Sequence, residues 1–148
     1  MPAATGDIGY NTTIYYEDSP LGSGTWVPIY QARNITLPKK TASKADFTHL
    51  RSPNRTKEYK PGMGEWSDTT LEAPYDYSNA SQGQMLADQN TYPQRNFKVE
   101  LRNSITDSLE ETWSWLGHVS EAGLGQIEAD GVRLLQVTIA TDGAVTIV

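Results

Sequence analysis

Apolar and polar residues alternate with a period of two along most of this chain, which is the spacing of strands with one packed and one wet face. The clearest instance is Asn96 to Arg102, where Phe97, Val99 and Leu101 share one face and Lys98, Glu100 and Arg102 the other. Glu111 to Ser120 repeats the pattern with Trp113, Trp115 and Val119. Gly117 falls on that same face, where a missing side chain admits a neighbour or bends the strand. Leu134 to Ala140 places Leu135, Val137 and Ile139 in register. The Asp142-Gly143 pair then predicts a hairpin turn into Ala144 to Val148.

Nearer the start, Thr13 to Tyr16 and Trp26 to Tyr30 are rich in aromatic and β-branched residues, and Pro28 marks the second run as an edge strand. Arg33 to Leu37 alternates and stops at Pro38, and Trp66 to Ala73 reads as one strand ended by Pro74. One segment departs from the period. Ser81 to Gln89 carries helix formers behind a capping Ser78 or Asn79, with Ala80, Met85 and Leu86 as its apolar face, so a helix of two to three turns is expected. The reading is mainly β, a sandwich or barrel with one short α-helix.

Residues 38–65 do not fit that frame. Within them Asp46 to Gly62 is too polar for core and too long for an ordinary turn, and a long inter-strand loop of this kind is usually functional or disordered.

The 148 residues suffice for one domain spanning 1–148, with 1–11 expected as a flexible N-terminal arm. Cysteine is absent, which removes disulfides and thiolate metal sites. The opening Met1-Pro-Ala-Ala-Thr-Gly lacks the basic head and apolar stretch of a signal peptide, and no apolar run is long enough for a membrane helix. The net charge of −6 argues against a groove that grips nucleic acid, although an acidic lining suits a conduit that DNA must traverse.

Enzyme chemistry finds no purchase. His49 and His118 are far apart, and each is without a metal-ligand partner at helical spacing. There is no nucleophile elbow, phosphate loop or dinucleotide fingerprint. Glu110 and Glu111 are adjacent, so on a strand they point to opposite faces. No catalytic residue, cofactor or metal is assigned. Four Trp and eight Tyr against two Phe favour amphipathic rings, typical of protein interfaces and also of sugar-stacking platforms.

The pattern Asp46-x-Thr48-x-Leu50-x-Ser52-Pro53, then Glu58-Tyr59-x-Pro61-Gly62, then Trp66 to Glu72, resembles the major tail tube proteins of long non-contractile-tailed bacteriophages. The Met85 to Asp88 helix, the Asn96 to Leu101 strand, Trp115 to Val119 and the closing Val132 to Val148 are similar to family segments in the same order. The resemblance implies a fold shared with the tube of type VI secretion and hexameric rings stacked into a hollow tube that delivers phage DNA. It implies a long loop reaching the adjacent ring, with Thr48, Leu50, Ser52, Pro53, Tyr59 and Pro61 as contacts and Gly62 letting the chain turn. Lys98, Glu100 and Arg102 are candidates for the lumen surface, their mixed charge diluting any repulsion of DNA. The implied partners are further copies of itself, the tape measure protein, the tail terminator and distal tail or baseplate proteins. DNA passes without specific binding, there is no membrane anchor, and assembly takes place in the host bacterial cytoplasm before the protein resides in the virion. Because Val148 follows the last strand directly, no added immunoglobulin-like domain is expected. The alternatives are a carbohydrate-binding β-sandwich and a tail terminator or head–tail joining ring.

Overall fold

A computed structural model describes residues 11–19 and 21–148. The expected arm at 1–11 therefore lies outside the described residues except for Asn11, whose side-chain amide donates to the carbonyls of Asn103 and Ser104.

Among the described residues, ten strands and one α-helix follow in order: β1 (Thr13–Glu17), β2 (Trp26–Pro28), β3 (Arg33–Thr36), β4 (Lys40–Asp46), β5 (Tyr59–Trp66), β6 (Thr69–Pro74), α1 (Ala80–Thr91), β7 (Arg95–Arg102), β8 (Leu109–Leu124), β9 (Leu134–Thr141) and β10 (Thr146–Ile147). Eight of the strands form one antiparallel sheet in the order β2-β1-β7-β8-β9-β6-β3, with β10 also on β8. β4 and β5 pair only with each other. The fold is mainly β with the single helix expected.

The core is built by the inward residues of the central strands. Phe97 and Val99 of β7 are fully buried with Ile14 of β1, Leu71 of β6 and Leu135 and Ile139 of β9. Phe97 stacks on Trp115 of β8 with ring centroids 6.2 Å apart. Because inward residues of β1, β6, β7, β8 and β9 belong to one cluster, the sheet wraps around a single core. β8 reaches sixteen residues by absorbing a bulge: its register with β9 shifts between Val119 and Glu121. The buried set changes parity there, from Trp115, Gly117 and Val119 to Ala122. At Gly117 a Cβ would strike the backbone carbonyl oxygen of Ala140, so this position needs glycine for close approach rather than for a turn.

Several details depart from the sequence pattern. Asp142-Gly143 makes no hairpin, and neither residue has the positive φ that a type I′ turn requires. Asp142 instead donates its N–H to the Leu116 carbonyl, and the chain runs on along β8, with Thr146 opposite Ser114 and Ile147 opposite Trp113. The strand read over Trp66 to Ala73 is broken at Ser67-Asp68, where Ser67 exchanges hydrogen bonds with Lys39 and the chain turns from β5 into β6.

The helix is longer than expected, and its buried face is mostly polar: Ser81, Gln82, Met85 and Asp88. Asn79 caps it by accepting from the N–H groups of Ser81 and Gln82. The Gln82 side chain accepts from the Asp76 N–H and donates to the carbonyls of Pro74 and Tyr30, closing backbone groups that no strand pairs. Of the expected apolar face, Met85 is fully buried and Leu86 packs on the core, whereas Ala80 is exposed and side-chain hydrogen bonds hold the rest of the buried face.

The turn after β1 is organised by Glu17, whose carboxylate accepts from the Gly22 N–H at 2.5 Å, the Gly24 N–H at 3.3 Å and the Asn96 amide at 3.1 Å. The Gly22 hydrogen bond, helped by Asn96 and Gly24 and opposed by burial, holds this carboxyl below the usual glutamate range.

Two outcomes are expected. Gly117→Ala should lower stability by about 1–3 kcal/mol through overpacking against Ala140, read by denaturant unfolding. Because the folded Glu17 carboxyl titrates below its unfolded value of about 4.3, its contribution is complete above that pH and lost as pH falls through the folded value. Glu17→Gln should therefore melt below the parent protein at pH 7, with the gap closing in scans taken below about pH 4.

Candidate functional site

The segment 38–65 that looked like a loop is a β-hairpin arm. Lys40 pairs with Trp66 at its root and Asp46 with Tyr59 near its tip, and the register shifts between Ala42 and Lys44. Period-two reasoning misses it because both faces are wet: all but three residues of its two strands and tip are exposed (Ala45, Ser52 and Glu58 are half-buried), up to Trp66 at the root. Backbone pairing holds the ribbon, with Ser43 Oγ also donating to the Met63 carbonyl across it at 3.3 Å. Pro61 is tolerated because each strand of a two-stranded ribbon has a free edge. Gly62 lies inside β5 and does not turn the chain; its missing side chain leaves room for Ser43 at the register shift.

The tip, residues 47–58, is held by its own polar groups. Thr48 Oγ1 accepts from the Glu58 N–H at 3.0 Å, and Ser52 Oγ accepts from the His49 N–H at 2.9 Å while donating to Glu58 Oε2 at 3.1 Å. His49 Nε2 lies 3.2 Å from that same oxygen. Pro53 starts a 3-10 turn, Pro53–Arg55, in which Asn54 and Arg55 are left-handed. Side-chain and backbone hydrogen bonds from Thr48 hold the Asp46 carboxyl below the usual aspartate range. Thr48 and Ser52 thus shape the tip from within, whereas Leu50 and Tyr59 are offered to solvent, Leu50 completely. Phe47 and Met63 are exposed as well, with Lys60 Nζ 4.6 Å from the Phe47 ring and Lys44 Nζ 5.6 Å from the Tyr59 ring. The ribbon thus leaves Phe47, Leu50, Tyr59 and Met63 in solvent among charged neighbours.

The other sequence candidates sit together on the outer face of β7. Glu100 lies 3.3 Å from Lys98 Nζ and 2.7 Å from Arg102 Nη2. The face is only partly wet: Glu100 is buried, while Lys98 and Arg102 are half-buried. Tyr15 of β1 and Trp26 of β2 close over it, with Lys98 Nζ 5.0 Å and 4.7 Å from their rings. Burial pushes the Glu100 carboxyl up, and the hydrogen bonds from Arg102 and Lys98 outweigh it, leaving it below the usual range. Lys98, Glu100 and Arg102 therefore form one ladder in which a single carboxylate is shared by two cations.

His118 is half-buried and bonds Asp142 through Nδ1 at 2.8 Å, with Tyr92 edge-on to its ring. This pairing ties β8 to the β9–β10 junction. None of the four tryptophans is exposed, so the exposed rings that a sugar-stacking platform could use are Phe47 and the tyrosines Tyr30, Tyr59, Tyr77 and Tyr92. Among the described residues no three His, Asp or Glu side chains converge as a metal site.

A wrapped antiparallel sheet with one helix and a projecting ribbon is the fold of tube-building subunits. The chain is similar to one in the sixfold-symmetrised baseplate of the anti-feeding prophage, with TM-score 0.81, 10% identity, and 99% of this chain and 97% of that one covered. It is similar to a chain in the C6-symmetric tail of an empty gene transfer agent particle (TM-score 0.68, 17% identity, 95% and 98% covered) and to the SPP1 tail tube (0.69, 10%, 93% and 77%). These likenesses establish a shared fold. No curated protein matches significantly. Residues 9–147 match the family model of the lambda phage tail tube protein, and the chain belongs to that family. It is a structural protein of a phage tail tube and so a component of the virion tail.

If the tip is held from within, Glu58→Ala should speed amide hydrogen exchange over 48–58 by about tenfold. Global stability should move by less than about 0.5 kcal/mol, since no core residue is touched. Unchanged exchange at the tip would show that the Glu58 bonds do not order it.

Proposed function

We propose that this chain closes into hexameric rings that stack head-to-tail into a hollow tube, the conduit for phage DNA delivery. The observation that carries this reading is the β4–β5 arm, a ribbon without a core that keeps Leu50 and Met63 in solvent. An isolated chain gains nothing from it, and a stacked ring would cover it. Thr48, Leu50, Ser52, Pro53, Tyr59, Pro61 and Gly62 then serve the inter-ring contact. Leu50 and Tyr59 are the contacting side chains, and the others keep the tip and ribbon in shape.

Two further features support an assembly of defined direction. The sheet edges are blunted against indiscriminate pairing: Pro28 lies in edge strand β2, and edge strand β3 has a left-handed Asn34 and a register shift. The Lys98-Glu100-Arg102 ladder, placed on the lumen, would offer DNA a surface of little net charge, so the genome slides past without being held. In this reading all of 1–148 is a single tube domain, with 1–11 a further contact. The partners are further copies of itself, the tape measure protein, the terminator and the distal tail or baseplate proteins. Assembly takes place in the host cytoplasm, and no catalysis is involved.

The test is negative-stain electron microscopy of the concentrated protein beside a deletion of Asn54 to Lys60. Hollow tubes with a regular axial repeat are expected from the parent chain. The deletion should melt cooperatively as a folded monomer, because it removes no core residue, and should form no tubes. Normal tubes from the deletion would refute the role given to the arm, and a parent chain that forms only single rings would favour a terminator instead.

A further inference from the structure

Charge is unevenly shared between arm and body. Residues 38–65 hold seven of the twelve Lys and Arg but three of the eighteen Asp and Glu, giving the arm +4 and the remainder −10. Much of the body's basic charge is already engaged, since Arg95 is paired with Asp88, and Lys98 and Arg102 with Glu100. The arm is a cationic, partly apolar projection on an anionic protein.

A surface of matching character lies at the opposite end of the sheet. The arm is rooted where β9 finishes, with Thr141 Oγ1 donating to the Ser67 carbonyl. β9 begins at Leu134, opposite Pro74 of β6, with Leu135 opposite Leu124 at the end of β8, and there the loop 125–133 joins β8 to β9. The two ends of β9 stand roughly 23 Å apart. On this loop and its flanks Leu124, Ile127 and Val132 are exposed, with Ile127 and Val132 open to well over half their surface. Glu121, Glu128 and Asp130 accompany them against a single base, Arg133.

We propose that this β8–β9 loop is the seat for the arm tip of the next copy in the stack. Leu50 packs on Ile127 and Val132, and the basic residues of the tip, Arg51, Arg55 and Lys57, face Glu128 and Asp130. Apolar centre meets apolar centre and the rims carry opposite charge, the arrangement that gives register and fast association. Seat and arm are different surfaces at opposite ends of one chain, so copies joined head to tail leave one arm and one seat free and propagate in one direction. The inference rests on the stacking reading and adds to it the identity of the seat and a dependence on ionic strength. The β7–β8 turn, with exposed Ile105 and Leu109 beside Asp107 and Glu110, is also acidic and apolar. It belongs to the arm's own end, because β8 runs from Leu109 through Gly117, the partner of Thr141, before reaching Leu124.

The absence of cysteine makes the test direct. Leu50→Cys with Ile127→Cys in the full chain, oxidised at high concentration, should give a reductant-sensitive ladder of linked copies. The linking rate should fall about tenfold between about 0.05 and about 0.5 M salt. Leu50→Cys with Ile105→Cys should give no ladder. The same samples are imaged for tubes. Absence of the 50–127 link, or preferential linking at 105, overturns the seat, and tubes seen in that sample would leave the stacking reading standing. A salt-sensitive 50–127 ladder from protein that never forms tubes would uphold the seat and remove the tube.

Discussion

The fold hangs on a buried ion pair. Arg95, at the start of β7, donates to both oxygens of Asp88 on α1, at 2.7 and 3.2 Å, with both side chains almost wholly out of solvent. Such a pair is tolerated only when its remaining polar capacity is filled, and here it is. Arg95 Nη1 reaches the Glu17 carbonyl and Ser19 Oγ, its guanidinium lies over the Tyr16 ring, and Gln84 donates to Asp88. One guanidinium therefore fixes the helix, the first residue of β7 and the end of β1 relative to one another. That geometry lets Met85 enter the core beside Phe97 and Trp115. Losing either partner would strand the other charge in the interior, which costs far more than the pair itself contributes.

Against this tightly determined body the arm follows opposite rules. The body satisfies its polar groups internally and blunts its sheet edges, so it has little tendency to pair at random. The arm satisfies only its tip and leaves apolar side chains and two ribbon edges open. The division is economical for a subunit that must fold first and assemble second. The core cluster takes no residue from the arm, and the arm's apolar side chains find no burial within the chain.

Much of the body was legible in the sequence, and the residues show why. Phe97, Val99, Trp115, Val119, Leu135, Val137 and Ile139 are all buried as their alternation predicts, because one face of a sheet must be dry. Pro28 announced an edge and Asn79 a helix cap. Reading failed where hydrogen bonding rather than hydrophobicity decides. The polar buried face of α1, the burial of Glu100 between Lys98 and Arg102, and the largely wet β4–β5 ribbon carry no period to detect. Asp142-Gly143 has the composition of a hairpin turn, yet a bond to Leu116 and the His118 contact hold the chain in line with β8.

By itself the sequence determined a cysteine-free, mainly β domain with one helix, an anomalous polar insertion after Pro38 and no catalytic constellation. Local rules of alternation, capping and turn chemistry suffice for that. Only the tertiary structure decided that the insertion is a ribbon, that it projects from one end of β9, and that an acidic, apolar loop occupies the other end. Strand order and register bring residues tens of positions apart to common ends of a sheet, and no local pattern of side chains encodes that placement.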